Sequence, residues 1–186
     1  MPKDKFAAGF PSLVFLSLGL AGGVPLGAQS DARYDIASTK NVMVAMRDGV
    51  KLATDTYRPV RNGQPVEGKF PVLLVRTPYN KEGGAATADY FVPRGYVVVL
   101  QDVRGRYKSE GRWRPIRDDP NDGFDTAQWI GAQPWSDGAI GTMGSSYAGA
   151  TQHALAIANA PYVKAMIPRS RRALVFNCTY IRTSAE

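Results

Sequence analysis

Residues 139–149 read Ala-Ile-Gly-Thr-Met-Gly-Ser-Ser-Tyr-Ala-Gly, and the fold is read outward from this stretch. Ile140 to Met143 is a short apolar run suited to a strand. Gly144-Ser145-Ser146 is suited to a tight turn, and the small residues that follow, up to Pro161, suit a helix. A strand, a sharp Gly-x-Ser turn and a helix together present a serine hydroxyl at the end of a sheet. A side chain at position 144 would crowd such a turn, which is why glycine belongs there. The N–H of Tyr147 then falls at a helix N-terminus, where it faces developing negative charge. Ala148 holds the fifth position of the usual Gly-x-Ser-x-Gly pattern, and glycine follows one place later at Gly149. Gly-Ser-Ser by itself is also an ordinary loop sequence, so the flanking strand and helix carry the reading.

Upstream, Val42 to Met46 and Val50 to Tyr57 are two strand-like runs separated by Asp48-Gly49, a hairpin signal that predicts an antiparallel pair. A polar loop containing Gly63 and Pro65 leads to Pro71-Val72-Leu73-Leu74-Val75, whose unbroken apolar character predicts a strand covered on both faces. Ala85 to Phe91 suits a short helix ended by Pro93 and Gly95, and Tyr96 to Leu100 is a second buried strand. Residues 103–119 read as a polar surface loop. Asp119-Pro120 suits a helix N-cap followed by proline, with a helix to about Ala132 burying Phe124, Ala127 and Ile130. Val163 to Ile167 is another strand, after the helix that follows Ser146. An antiparallel hairpin followed by strand–helix units predicts an α/β fold, a mostly parallel sheet with helices on both faces.

Composition narrows the chemistry. The chain has 186 residues, one cysteine (Cys178) and one histidine (His153), which leaves no Cys/His cluster for zinc and no internal disulfide. The formal charge of +7 splits into +1 for residues 1–30, +3 for residues 169–186 and +3 for the remainder, with no basic stripe interleaved with aromatics. That excludes a nucleic-acid surface in favour of an ordinary solvated one. Asp118, Asp119, Asp122 and Asp125 do not fit the spacing of a calcium loop; acids in the first turn of a helix account for them. No cofactor is implied.

The first 30 residues read as an export signal: Lys3 and Lys5, an apolar run from Phe10 to Ala21, and a small-residue exit at Ala28-Gln29-Ser30. Gly19, Gly22, Gly23 and Pro25 would spoil a core helix, which is the competing reading. The apolar run is shorter than the ~20 residues that span a bilayer, so no stable membrane anchoring follows. The expected location is secreted or periplasmic.

Several motifs in order then resemble one family: the secreted serine hydrolases of the X-Pro dipeptidyl-peptidase and cocaine-esterase (CocE/NonD) type. They are Met46-Arg47-Asp48-Gly49-Val50-Lys51-Leu52, Arg76-Thr77-Pro78-Tyr79-Asn80-Lys81, Gln101-Asp102-Val103-Arg104-Gly105, Ser109-Glu110-Gly111, Trp135-Ser136-Asp137-Gly138 and Gly144 to Gly149, over roughly Val42 to Pro168. The resemblance implies an α/β-hydrolase fold and cleavage of peptide, amide or ester bonds in a small substrate. It implies Ser146 as the catalytic nucleophile, and the Tyr79 hydroxyl together with the Tyr147 backbone N–H as the oxyanion hole. Asp102 stands at a strand end but precedes the serine, whereas this fold takes its acid after the nucleophile. A structural Asp102–Arg104 pair pinning residues 102–111 is therefore expected.

The acid and histidine of the implied triad belong after the sixth strand. Residues after Pro168 hold no histidine, and Arg169-Ser170-Arg171-Arg172 interrupts the resemblance. His153 lies seven residues past Ser146, roughly 10 Å along a helix at ~1.5 Å per residue, and a general base must stand ~3 Å from the hydroxyl. Three segments are thus expected: a signal over 1–30, the N-terminal part of an α/β-hydrolase domain over 31–168, truncated after its sixth strand, and an atypical basic tail over 169–186. An open sheet edge would invite self-association. Two readings stand at this stage. One is a serine hydrolase incomplete in this chain; the other is a non-catalytic exported domain or truncated product that binds an acyl or peptide ligand or a partner chain.

Overall fold

A computed structural model describes residues 33–169. The segments read as export signal and, past Arg169, as basic tail lie outside the described residues. The strands are β1 (Asp35–Ala45), β2 (Lys51–Arg61), β3 (Gln64–Pro65), β4 (Phe70–Thr77), β5 (Val97–Asp102), β6 (Ser136–Ser145) and β7 (Val163–Arg169). The helices are α1 (Ala85–Phe91), α2 (Asp119–Gly131) and α3 (Tyr147–Ile157), with short 3-10 turns before and after α1. They build one sheet in the order β1-β2-β5-β4-β6-β7, and β3 pairs with β2 alone. β2 pairs antiparallel with β1 on one side and β5 on the other, while β5, β4, β6 and β7 run parallel. The α/β fold predicted from the sequence, a mostly parallel sheet behind an N-terminal antiparallel hairpin, is the fold observed.

Alternation along the central strands divides the core. Val97 and Val99 of β5 join Val72, Leu74 and Ile140 under α2 and α3, where Ala127, Ile130 and Leu155 meet them. Val98 and Leu100 point the other way, to Ala88, Val92 and Tyr57 on the α1 side. β5 is buried along its whole length, as its unbroken apolar run requires. β4 is buried on one face and only half-buried at Leu73 and Val75, because the short α1 covers less of the sheet than α2 and α3 do.

The structure corrects several local expectations. β1 starts at Asp35, earlier than the apolar run, with a register break between Thr39 and Val42 where Asn41 takes φ 56°. Backbone pairing with β2 holds this polar stretch, and periodicity does not report backbone pairing. The loop around Gly63 is a second hairpin: Asn62 and Gly63 both have positive φ, the geometry of a type I′ turn. The Asn-Gly signal was present in the sequence. α2 begins at Asp119, one residue before the expected proline start, and Phe124 is half-buried beneath the Arg47 guanidinium, 5.2 Å from its ring centre. α3 stops at Ile157, short of Pro161. Residues 103–119 are not wholly a surface loop, since Val103, Arg104 and Ser109 are buried. Among the described residues no helix is long and apolar enough to cross a membrane.

Candidate active site

β4 and β6 are parallel neighbours, and the chain leaves them in opposite directions: β4 leads to β5, β6 to β7. The crevice outside the carboxyl ends of strands at such a reversal is where open α/β sheets bind ligands. The loop after β4 carries Tyr79, and the turn after β6 carries Ser146.

Ser146 has φ 56° and ψ −124°, a backbone conformation that residues with side chains adopt only when their surroundings impose it. Here the constraint is hydrogen bonding and close approach. The Ser146 N–H donates to the Arg169 carbonyl at 2.9 Å, and its own carbonyl accepts from the N–H groups of Gly149 and Ala150 at 2.9 and 3.1 Å. A Cβ on Gly144 would lie 2.7 Å from the Ala148 Cβ and 3.0 Å from its carbonyl oxygen. Alanine is thus tolerated at the fifth position of the pattern because glycine occupies the first. The Ser146 side chain is exposed, and its Oγ lies 3.3 Å from the Tyr79 hydroxyl. The N–H of Tyr147 has no acceptor among the described residues and stands at the start of α3. A hydroxyl and a phenol meet at one exposed point, with an unengaged N–H on the next residue at the helix start, an arrangement that suits the addition of an oxygen nucleophile to a carbonyl.

A polar layer under this point was not foreseen from the sequence. The Tyr147 hydroxyl donates to Asp119 Oδ2 at 2.7 Å and accepts from the Ile116 N–H at 2.7 Å. Burial, and then the Asp119 hydrogen bond, push the Tyr147 phenol up to about 12. Buried Arg76 donates to the Asp119 carbonyl at 3.0 Å and to Gln101 Oε1 at 2.9 Å; Gln101 donates onward to Thr54 at 3.0 Å. Arg106 donates from Nε to the Pro78 carbonyl at 3.2 Å and stacks over Trp113 at 4.7 Å, so the 103–118 loop is tied to the Tyr79 loop. The one available signal was an arginine, Arg76, at the end of an otherwise apolar strand.

The expected Asp102–Arg104 pair does not form. Arg104 instead clamps two carboxylates, Asp122 at 2.6 Å and Asp48 at 2.7 Å, joining α2 to the β1–β2 turn. Both partners lie far off in sequence, and only the fold brings them to Arg104. The Asp122 and then Asp48 hydrogen bonds hold the guanidinium charged against its burial. Asp102 accepts the Lys81 backbone N–H at 2.8 Å, and burial holds its carboxyl above the usual range. The four acids of the α2 start are each taken by an arginine: Asp118 by Arg114, Asp119 by Arg76, Asp122 by Arg104 and Asp125 by Arg47. Ion pairing, more than the helix dipole, explains them. His153 is half-buried on α3 and does not reach Ser146, whose Oγ has the Tyr79 hydroxyl as its side-chain partner among the described residues.

This sheet order, with a strained serine at the strand-to-helix turn, defines an α/β-hydrolase fold. The family model for X-Pro dipeptidyl-peptidase (S15 family) matches residues 48–183, and the chain belongs to that family. The matched range runs past Pro168, where the quoted motifs end, and takes in residues 169–183 of the segment read as a tail. The chain is 46% identical over 144 residues to the cocaine esterase of Rhodococcus sp. (strain MB1 Bresler), covering 74% of this chain and 24% of that protein. Among solved structures, a CocE/NonD family hydrolase from Staphylococcus aureus matches with TM-score 0.63 and 35% identity, covering 72% of this chain and 27% of that one. An alpha-amino acid ester hydrolase matches with TM-score 0.63 and 31% identity, over 84% and 28% respectively. The chain spans about a quarter of the length of the curated relatives it matches. The relatives it matches carry the names of esterases and peptidases.

Proposed function

We propose that this chain carries the nucleophile and oxyanion half of a serine hydrolase site that cleaves ester or peptide bonds through an acyl-enzyme on Ser146. The observation that carries the reading is the 3.3 Å approach of Tyr79 to Ser146, beside the unengaged Tyr147 N–H. In this scheme the Ser146 Oγ adds to the substrate carbonyl carbon, and the carbonyl oxygen takes the negative charge. The Tyr79 hydroxyl and the Tyr147 N–H donate to it; one such donor is typically worth ~2.7–4 kcal/mol in the transition state. The C–O or C–N bond to the leaving group then breaks, and water releases the acyl group. The Ser146 proton must pass to a base ~3 Å away. The one histidine of the sequence is seven residues off along α3, too far to serve as that base.

Alone, the chain is expected to turn over esters and amides poorly, because an unactivated serine hydroxyl is a weak nucleophile. The absence of a base beside Ser146 among the described residues equally favours a second reading, a non-catalytic domain that binds an acyl or peptide ligand. A chimera separates them. Residues 42–168 replace the matching segment of the Rhodococcus cocaine esterase, which supplies the remainder of the fold. Labelling by a fluorophosphonate and ester turnover, both lost in Ser146→Ala, support the hydrolase reading. A folded chimera that neither labels nor turns over rejects it.

Two further proposals travel with this one. The first is that residues 1–28 or 1–30 are removed on export to a secreted or periplasmic location; intact mass of protein recovered outside the cytoplasm, with Met1 retained, would reject it. The second is self-association along β7, which pairs with β6 on one side and with no strand among the described residues on the other, beside exposed Ile157 and Ile167.

A further inference from the structure

Tyr79 is 58% exposed, so packing does not aim its ring at Ser146. Its direction depends on the backbone to either side. Upstream, the Tyr79 N–H donates to Thr77 Oγ1 at 3.0 Å. Downstream, Asn80 takes φ 76°, a conformation an L-residue keeps only under constraint, and Lys81 follows. The Lys81 side chain is 0% exposed, on a loop that otherwise faces solvent at Tyr79 and Glu82.

Three strands from the far half of the sheet converge on this lysine. Its Nζ lies 2.9 Å from Asn41 Oδ1 of β1 and 3.1 Å from Asp55 Oδ1 of β2. Its backbone N–H donates to Asp102 Oδ1 at the end of β5. The break in β1 register serves the same point: Asn41, at the bulge, donates its N–H to Asp55 Oδ1 at 2.8 Å while turning its side chain to Lys81. Bulges re-aim side chains in this way. The Lys40 ammonium also pairs with Asp55, at 3.3 Å. Stability alone is a poor reason for such a pair. A buried ion pair is commonly no more stabilising than apolar residues of the same volume, and its better-attested use is to specify one arrangement.

We propose that Lys81 is a positioning residue: a charged peg, seated on Asn41 and Asp55, that fixes the backbone of residues 79–81 and so aims the Tyr79 hydroxyl at Ser146. The inference rests on the hydrolase reading only for the purpose of that aim. The peg itself is read without any reactive serine.

Lys81→Met alone would leave buried Asp55 with the half-exposed Lys40 as its one cation, so the test uses the neutral pair Asp55→Asn/Lys81→Met in the full 186-residue chain. Hydrogen–deuterium exchange of the amides of residues 79–82 should quicken at least tenfold, while those of β2 and β5 keep their rates within about twofold. With fluorotyrosine incorporated, the resonance assigned by its loss in Tyr79→Phe should move to the solvent-exposed position. Unchanged exchange at 79–82 overturns the proposal. So does loosening of β2 and β5 in step, or failure of the pair variant to fold, since either makes Lys81 a general prop of the core. Fluorophosphonate reactivity of Ser146 is read in parallel. Where the wild type reacts, the pair variant should slow it at least tenfold, and a Tyr79→Phe background should abolish that difference; a full slowing that persists without the Tyr79 hydroxyl overturns the proposal. A wild type that does not react is what the lack of a base beside Ser146 predicts, and it leaves the exchange result to decide the peg.

Discussion

The Tyr79 hydroxyl and the Ser146 Oγ stand 3.3 Å apart, 67 positions apart in sequence. Each follows a strand, and those strands, β4 and β6, are parallel neighbours in the sheet. The pair exists because the strand order folds β5 to one side and β7 to the other, leaving the two loops facing each other.

Removing the hydroxyl isolates its contribution. Tyr79→Phe in the chimera described above is expected to lower ester turnover by roughly 10²–10³-fold, the usual effect of losing one oxyanion donor. Its unfolding midpoint should stay at the wild-type value, since Tyr79 is mostly exposed and Ser146 is the one side-chain hydrogen-bond partner of its hydroxyl among the described residues. A loss below fivefold would remove Tyr79 from the site.

Gly144→Ala sets a methyl group 2.7 Å from the Ala148 Cβ. Overpacking of this kind costs about 1–3 kcal/mol, measurable by urea unfolding. Ala148→Gly in the same chain should recover part of that, because it removes the nearer of the two clashing atoms while the Ala148 carbonyl remains at 3.0 Å. No recovery would mean that the turn, with φ 150° at Gly144, is the whole constraint.

Arg104→Met leaves Asp122 buried without its cation and frees Asp48 of the β1–β2 turn. Breaking a buried pair by removing one partner typically costs ~3–5 kcal/mol, so a large drop in urea midpoint is expected. Arg47→Met also removes an acid's partner on α2, but that arginine is solvent-exposed, and its loss should lower the urea midpoint far less. Equal effects of the two would contradict the burial argument.

Tyr147 predicts an alkaline dependence. Its folded pKa, about 12, lies above the ordinary value of 10.0, so the folded state favours the protonated phenol. The stability this contributes is whole below pH 10.0 and is lost as pH rises to about 12. Unfolding midpoints recorded across that window should fall more steeply in the wild type than in Tyr147→Phe, and ultraviolet titration should show one late tyrosinate missing from the variant.

Much of this molecule was legible along the chain. Val97 to Leu100 announced a buried strand, Asp48-Gly49 a hairpin, and Gly144 followed by Ser146 a strand-to-helix turn, because each depends on residues within a few positions of one another. Asn62-Gly63 was equally local and passed unread. Phe124 and the 103–119 loop were misjudged for a different reason: whether an apolar or basic residue is covered depends on what arrives from elsewhere, here Arg47 from the hairpin turn and Asp48 and Asp122 against Arg104.

The sequence by itself determined the order of the elements, the need for glycine at position 144 and membership of the family, since local backbone preference and motif order need no third dimension. The tertiary structure alone decided which charges meet. Arg76 found Asp119, Arg104 found Asp48 and Asp122, Lys81 found Asn41 and Asp55, and Tyr79 found Ser146. Those encounters are set by strand order and register. A one-residue slip in a strand turns every side chain to the opposite face, so the partners of a buried charge follow from the assembled sheet and from no stretch of the chain taken alone.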